Sequence, residues 1–113
     1  MMSFRAHAKG MIESNRVLWS PEAEEDLFDI WKYVWTAASA AVADKRLHEI
    51  DHVCRLLARS PDLGKARDDV RPGVRSMPVE RYVIFYRISK NATEIVRVLD
   101  ERRDVDALFD NEE

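Results

Sequence analysis

Residues 48–52, His-Glu-Ile-Asp-His, have the H-E-x-x-H spacing. On a helix that spacing puts two imidazoles one turn apart, able to hold a zinc ion while the glutamate serves as general base. The surrounding apolar residues Ala43, Leu47, Ile50, Cys54 and Leu57 recur as one helical face. At about 100° per residue, His48 and His52 fall roughly opposite that stripe and point to water. The third histidine, His7, lies in an aperiodic N-terminal stretch, so no further ligand accompanies them. We therefore expect no metal, no cofactor and no zinc chemistry. Cys54 is the only cysteine. On the apolar stripe it reads as an inert core thiol rather than a nucleophile, and a single cysteine forms no internal disulfide, which agrees with a reducing compartment.

A second group of chemistry-bearing residues is cationic. Residues 65–103 hold ten basic and six acidic side chains, a net of +4, inside a 113-residue chain whose net charge is −3. The overall acidity argues against nucleic-acid binding by bulk charge, and direct sequence-specific nucleic-acid recognition is not expected. The segment RPGVRSMPVERYVIFYRISK (71–90) shows how the arginines are placed. Tyr82, Ile84, Tyr86 and Ile88 alternate onto one side of a strand. Arg81, Val83, Phe85 and Arg87 fall on the other, beside Ile95, Arg97 and Leu99 of the next strand. A sheet with one wet face is polar at every second position, and this one is apolar on both. The expectation is an open second face fringed by arginine, which the C-terminal segment, another copy of the chain or a different protein must cover.

The elements that position these residues follow from pattern. Residues 1–15 read as an N-terminal tail, and Met11 is a candidate start. Arg16–Trp19 is a short strand ending at Ser20-Pro21, an N-cap followed by proline at the first helical position. Glu22, Glu24, Glu25 and Asp26 then crowd the positive end of a helix dipole. Ala23, Leu27, Ile30, Trp31 and Val34 form that helix's buried stripe, and Phe28 and Trp35 widen it by a wing. A break near Thr36–Ser39 precedes a second helix to Arg59, which Pro61 and Gly64 end. The period then changes from 3.6 to 2. VRSMPV, RYVIFYRI and TEIVRVL read as an antiparallel meander with SKNA as a hairpin loop. Pro78 suggests that VRSMPV is an edge, and ERRDVDALF suits a short final helix. The class is α+β in the order β-α-α-β-β-β: a helical hairpin on one face of a small, mainly antiparallel sheet. One domain is expected over 16–109, followed by a C-terminal tail over 110–113. No apolar run approaches the roughly 20 residues a membrane helix needs, and the N-terminus lacks a secretory pattern, so cytoplasmic residence is expected.

Three stretches resemble the ParE branch of the RelE/ParE superfamily: SPEAEEDLFDIWKYV, ARSPDLGKARDDVRPGVRSMPVERYVIFYRI and EIVRVLDERRDVDALF. These are toxins of bacterial type II toxin–antitoxin pairs, and the likeness covers about residues 16–109. It implies a strand, a helical hairpin and a three-stranded meander. It implies poisoning of DNA gyrase without catalysis, and neutralisation by a cognate ParD-like antitoxin in a hetero-oligomer. The antitoxin would contact Phe28, Trp31, Trp35, Arg81, Val83, Phe85, Arg87, Ile95, Arg97 and Leu99, while Arg102 and Arg103 would face the target. The sister RelE branch cleaves mRNA on the ribosome, which requires cations at the phosphate and groups that move protons. Its strand arginine aligns with Val83. Its C-terminal tyrosine or histidine aligns with Leu108 or Phe109, neither of which transfers a proton. That nuclease activity, or a degenerate toxin that only binds an antitoxin, is the alternative. Where many ParE relatives have histidine-glycine after the last strand, this chain has Asp100-Glu101.

Overall fold

A computed structural model describes residues 16–103 and 105–110. The expected tail over 1–15, with Met11 and His7, and residues 111–113 of the expected C-terminal tail lie outside it. Arg16–Trp19 forms β1, Pro21–Ala37 α1 and Ala40–Arg59 α2. The Ser20 hydroxyl accepts the Ala23 amide at 3.0 Å, with Pro21 opening the helix. The break after α1 needs no glycine: the Ser39 hydroxyl accepts the Val42 amide at 3.1 Å and starts α2. Ala23, Leu27, Ile30 and Val34 are buried on α1, and Ala43, Leu47, Ile50, Cys54 and Leu57 on α2, as their spacing predicts, whereas Trp31, expected on the α1 stripe, is only half-buried at its margin.

A single 3₁₀ turn at Pro61–Leu63 follows α2. Four strands come next: β2 (Lys65–Ala66), β3 (Arg75–Val79), β4 (Tyr82–Ser89) and β5 (Ala92–Asp100). The sheet order is β1-β5-β4-β3-β2. β1 runs parallel to β5 because the helical hairpin carries the chain across before it returns, and the other pairs are antiparallel. The two-residue β2 was not foreseen. It covers β3 only at Arg75 and Ser76, so β3 is an edge over its second half, where Pro78 sits.

The hairpin packs on one face of the sheet, where Leu27, Ile30, Leu47, Ile50 and Leu57 meet Tyr82, Ile84, Tyr86, Ile95 and Val98. Tyr86 fastens the two layers together. Its hydroxyl donates to the Pro61 carbonyl at 2.6 Å and accepts the Gly64 amide at 2.9 Å. Gly64 is glycine for lack of room: a Cβ there would overlap the Tyr86 hydroxyl.

The second face departs from the expectation of an open surface. A final helix α3, Val105–Asp110, lies across it. Phe109 meets Phe85 edge-on at 5.3 Å between ring centroids, and with Val74 and Leu99 they form a second core. Arg71 Nη2 donates to the Phe109 carbonyl at 2.7 Å, and its guanidinium lies 5.3 Å from the Phe109 ring. Arg67 stands 5.8 Å from the Phe85 ring. The chain thus buries its own second side with roughly 25 cal/mol stabilisation per Å² of apolar surface.

The alternation in β5 also differs. Phe85 opposes Arg97 while Tyr86 opposes Ile95, so Val96 is an inserted residue without a partner on β4. This bulge turns Ile95 toward the helices and leaves Val96 packed against the second core, the reverse of the simple alternation. It lies where β1 ends: Ser20 N–H donates to the Ile95 carbonyl, and the Ser20 hydroxyl donates to that of Val96 at 2.8 Å. Ile88, expected under the helices, is half exposed near the β4–β5 turn.

Candidate functional site

An exposed aromatic surface lies on α1. Phe28, Trp31 and Trp35 follow the i, i+3, i+7 spacing of a helix and flank its buried stripe. Phe28 is 43% exposed and Trp35 51%, with Trp31 half-buried between them. The rings are stacked: Phe28 and Trp31 have centroids 6.4 Å apart, and Trp31 and Trp35 5.8 Å apart with planes only 7° off parallel. Trp31 Nε1 donates to Asp44 of α2 at 3.1 Å, which fixes the middle ring. Lys32 Nζ lies 5.0 Å from the Phe28 centroid. The ridge is therefore apolar, wide and ordered, with a cation at one end.

The arginines separate into different environments. Arg97 Nε and Nη2 donate to Asp26 of α1 at 2.8 and 3.0 Å, and the same carboxylate accepts the Val98 amide at 2.9 Å. Both side chains are nearly buried. Asp26 thereby closes the part of the β5 edge that β1 does not reach. Arg97 is a structural clamp, which corrects its expected place on an open face. Phe85, Ile95 and Leu99 are buried within the chain, the first and last under α3 and Ile95 under the helical hairpin, and so do not present an apolar surface to a partner. Val83 is half-buried beside the second core. Arg81 is exposed at the β3–β4 turn, and Arg87 is exposed with Glu94 at 2.9 Å.

Arg102 and Arg103 are exposed just after β5. Arg102 Nε and Nη2 donate to Asp100 at 3.0 and 3.2 Å, and its backbone amide adds a bond at 2.9 Å. These donors hold the Asp100 carboxyl down at about 2. Arg102 is thus partly neutralised, while Arg103 projects beside it. His48 and His52 are exposed on α2 as expected, and no group of three metal-ligating side chains occurs among the described residues. Cys54 is fully buried, and desolvation, followed by the Asp51 charge, pushes its thiol far up. Among the described residues no helix is long and apolar enough to cross a membrane.

Two groups that matter to the site escaped the sequence reading. One is the pair Arg67 and Arg71, which close over Phe85 and Phe109 beside the C-terminal segment, itself one of the three covers expected. The other is Asp26, which looked like one more first-turn carboxylate and instead caps a strand edge.

The model of a family described as the ParE toxin of the type II toxin–antitoxin system, parDE, matches residues 17–105. The chain belongs to the ParE toxin family. Toxin ParE1 of Mycobacterium tuberculosis (strain ATCC 25618 / H37Rv) is 36% identical over 94 residues, covering 82% of this chain and 96% of the relative. Toxin ParE3 of Caulobacter vibrioides is 32% identical over 92 residues, covering 81% and 92%. A solved chain from a structure titled "Chromosomal ParDE TA system from P. aeruginosa" superposes with a TM-score of 0.68 at 21% identity, covering 78% of this chain and 97% of that one. That last likeness is one of fold. The ParE fold here is the α+β arrangement expected from the period change, with the expected short final helix as α3 and the strand β2 added at its margin.

Proposed function

We propose that this ParE-family chain inhibits DNA gyrase by binding rather than catalysis, and that a ParD-like antitoxin silences it in a hetero-oligomer in the cytoplasm. The observation that carries the non-catalytic reading is chemical. By the resemblance, Val83 aligns with the strand arginine of the RelE nucleases, and Phe109, one of the two residues aligned with their C-terminal proton-transfer group, is a hydrocarbon ring sealed against Phe85. A phosphodiester at this place would meet neither the arginine nor the proton-transfer group that the nuclease chemistry uses at these two aligned positions.

For the antitoxin, the α1 ridge of Phe28, Trp31 and Trp35 is the favoured seat. It offers exposed aromatic area already held in one arrangement, the kind of surface that supplies binding hot spots. Arg81 and Arg87, with the half-buried Val83 between them, would form a polar margin that pairs with antitoxin carboxylates. Arg103, and Arg102 beside Asp100, are the proposed contacts with the target.

The test pairs a supercoiling assay on purified gyrase with a ribosome-dependent mRNA cleavage assay. Loss of supercoiling with intact mRNA is expected, and cleaved mRNA with unaffected gyrase refutes the proposal. Co-expression with the cognate antitoxin should yield a complex. Trp31→Ala with Trp35→Ala should weaken it at least tenfold, since each truncated aromatic hot spot typically costs about 2 kcal/mol or more.

A further inference from the structure

His48 and His52 have no part in the function proposed above. Both lie within the 20-residue helix Ala40–Arg59 and are exposed. Neither takes part in a hydrogen bond or ion pair among the described residues. The opposite face of the same helix, with Leu47, Ile50 and Cys54, is fixed in the core. Four residues apart, the two side chains are separated by about 6 Å along the axis and about 40° around it. Both imidazoles are thus free to turn toward one point above a helix that the core holds still.

The neighbouring groups decide what could bind there. Asp51 holds Arg55 at 2.9 Å, and Glu49 holds Arg46 at 2.6 Å. Asp44, on the turn before His48, accepts Trp31 Nε1 at 3.1 Å. Each nearby carboxylate already has a partner, and no group of three metal-ligating side chains occurs among the described residues. A closed structural or catalytic zinc centre is therefore excluded, and Glu49, turned to Arg46, is not placed as a general base. A two-point chelate asks less. Its donors are two imidazole nitrogens, which suit copper, nickel and zinc, whereas Mg²⁺ and Ca²⁺ take oxygen ligands. Lys45, exposed on the turn before His48, adds a positive charge that keeps the affinity moderate.

We propose that His48 and His52 chelate one divalent transition-metal ion of the Zn²⁺, Ni²⁺ or Cu²⁺ class on the solvent face of α2, with water in its other positions. Zn–N bonds of about 2.0–2.1 Å bring the two ring nitrogens within roughly 3.3 Å of each other. Exposed side chains one helical turn apart reach that spacing by rotamer choice. The pair is in register only while α2 is helical, so the ion favours the folded chain and stabilises it.

The experiment titrates the full chain at pH 7.5 with ZnCl₂, following the histidine ring resonances by NMR and the thermal midpoint by circular dichroism. A saturable response at both rings and a raised Tm are expected, with MgCl₂ giving neither. His52→Ala should weaken Zn²⁺ binding at least tenfold, an increment of about 1.4 kcal/mol. The deciding variant combines His52→Ala with Arg59→His. It keeps the number of histidines and the helix face but sets the two imidazoles about 16 Å apart. Arg59 is exposed and in no ion pair among the described residues, so the variant should fold as the parent does. It should bind Zn²⁺ as weakly as His52→Ala does, and the ion should no longer raise its Tm. His7 is present in every arm, so its background is common to all. An unsaturable response, an equal response to Mg²⁺, or parent-like affinity in the respaced variant would each overturn the assignment. None of these readouts involves gyrase or an antitoxin, so the outcome is independent of the function proposed above.

Discussion

Phe109→Ala tests whether the second face of the sheet is closed by the chain itself. Phe109 is 1% exposed and meets Phe85, which is fully buried, at 5.3 Å. Truncating a core phenylalanine to alanine costs about 3–5 kcal/mol from lost transfer and the cavity left behind. The edge-on pair contributes about 0.5–1.5 kcal/mol of specific ring interaction beyond area, and the Arg71 guanidinium loses its aromatic face. The loss is limited because α3 is only six residues long and can detach while the rest of the domain holds. The expected cost is therefore at the low end, about 3 kcal/mol. For a chain between the 100- and 150-residue classes that corresponds to a fall in Tm of about 10–15 °C. The assay is thermal and urea unfolding by circular dichroism, with amide hydrogen exchange on β4 and β5. Amides near Phe85 and Leu99 should exchange faster, while α1 and α2 keep their protection. A loss below about 1 kcal/mol with unchanged exchange at Phe85 would refute the claim that α3 seals this face.

Asp26→Ala should cost about 3–5 kcal/mol in urea unfolding, since it strands the nearly buried Arg97 and orphans the Val98 amide. Asp26→Asn keeps an acceptor for that amide and should cost less. Tyr86→Phe removes the acceptor for the Gly64 amide and the donor to Pro61, and should cost about 1–3 kcal/mol in the same measurement. Asp100 gives a pH signature. Its folded pKa, about 2, lies below the unfolded carboxylate value, so its contribution is complete above about pH 4 and fades as pH falls toward 2. Asp100→Asn should accordingly be less stable than the parent at pH 6, with the two unfolding curves converging near pH 2.

The helices were legible because their determinants are local. Ser20-Pro21 and Ser39 mark where α1 and α2 begin, and the buried stripes follow from spacing alone. The meander was legible from its period of two. The errors arise where tertiary partners override that period. A strict alternation puts Ile95 and Val96 on the wrong sides, because Ser20 binds the Val96 carbonyl and the strand takes up an extra residue there. Arg97 reads as a fringe residue of the second face until Asp26, 71 positions away, is seen to hold it. Phe85 reads as needing a cover, but nothing local chooses among the C-terminal segment, a second copy and another protein, and it is the six residues of α3 that lie over it. The aromatic wing of α1 was visible in advance for the opposite reason: a helical face wider than its neighbour can bury leaves its margin in water.

The stacking of Phe28, Trp31 and Trp35 also bears on how any affinity at that ridge would be distributed. The indole of Trp31 is pinned to Asp44 and sandwiched by its neighbours, and the Tyr86 strap holds the end of α2 to the sheet beneath. The rotamer entropy of these large side chains is thus surrendered when the chain folds, not when a guest arrives. Whatever disorder must be lost on contact then resides in the guest, so stiffening or loosening the guest alone would set the lifetime of the pair, with this chain acting as a fixed template.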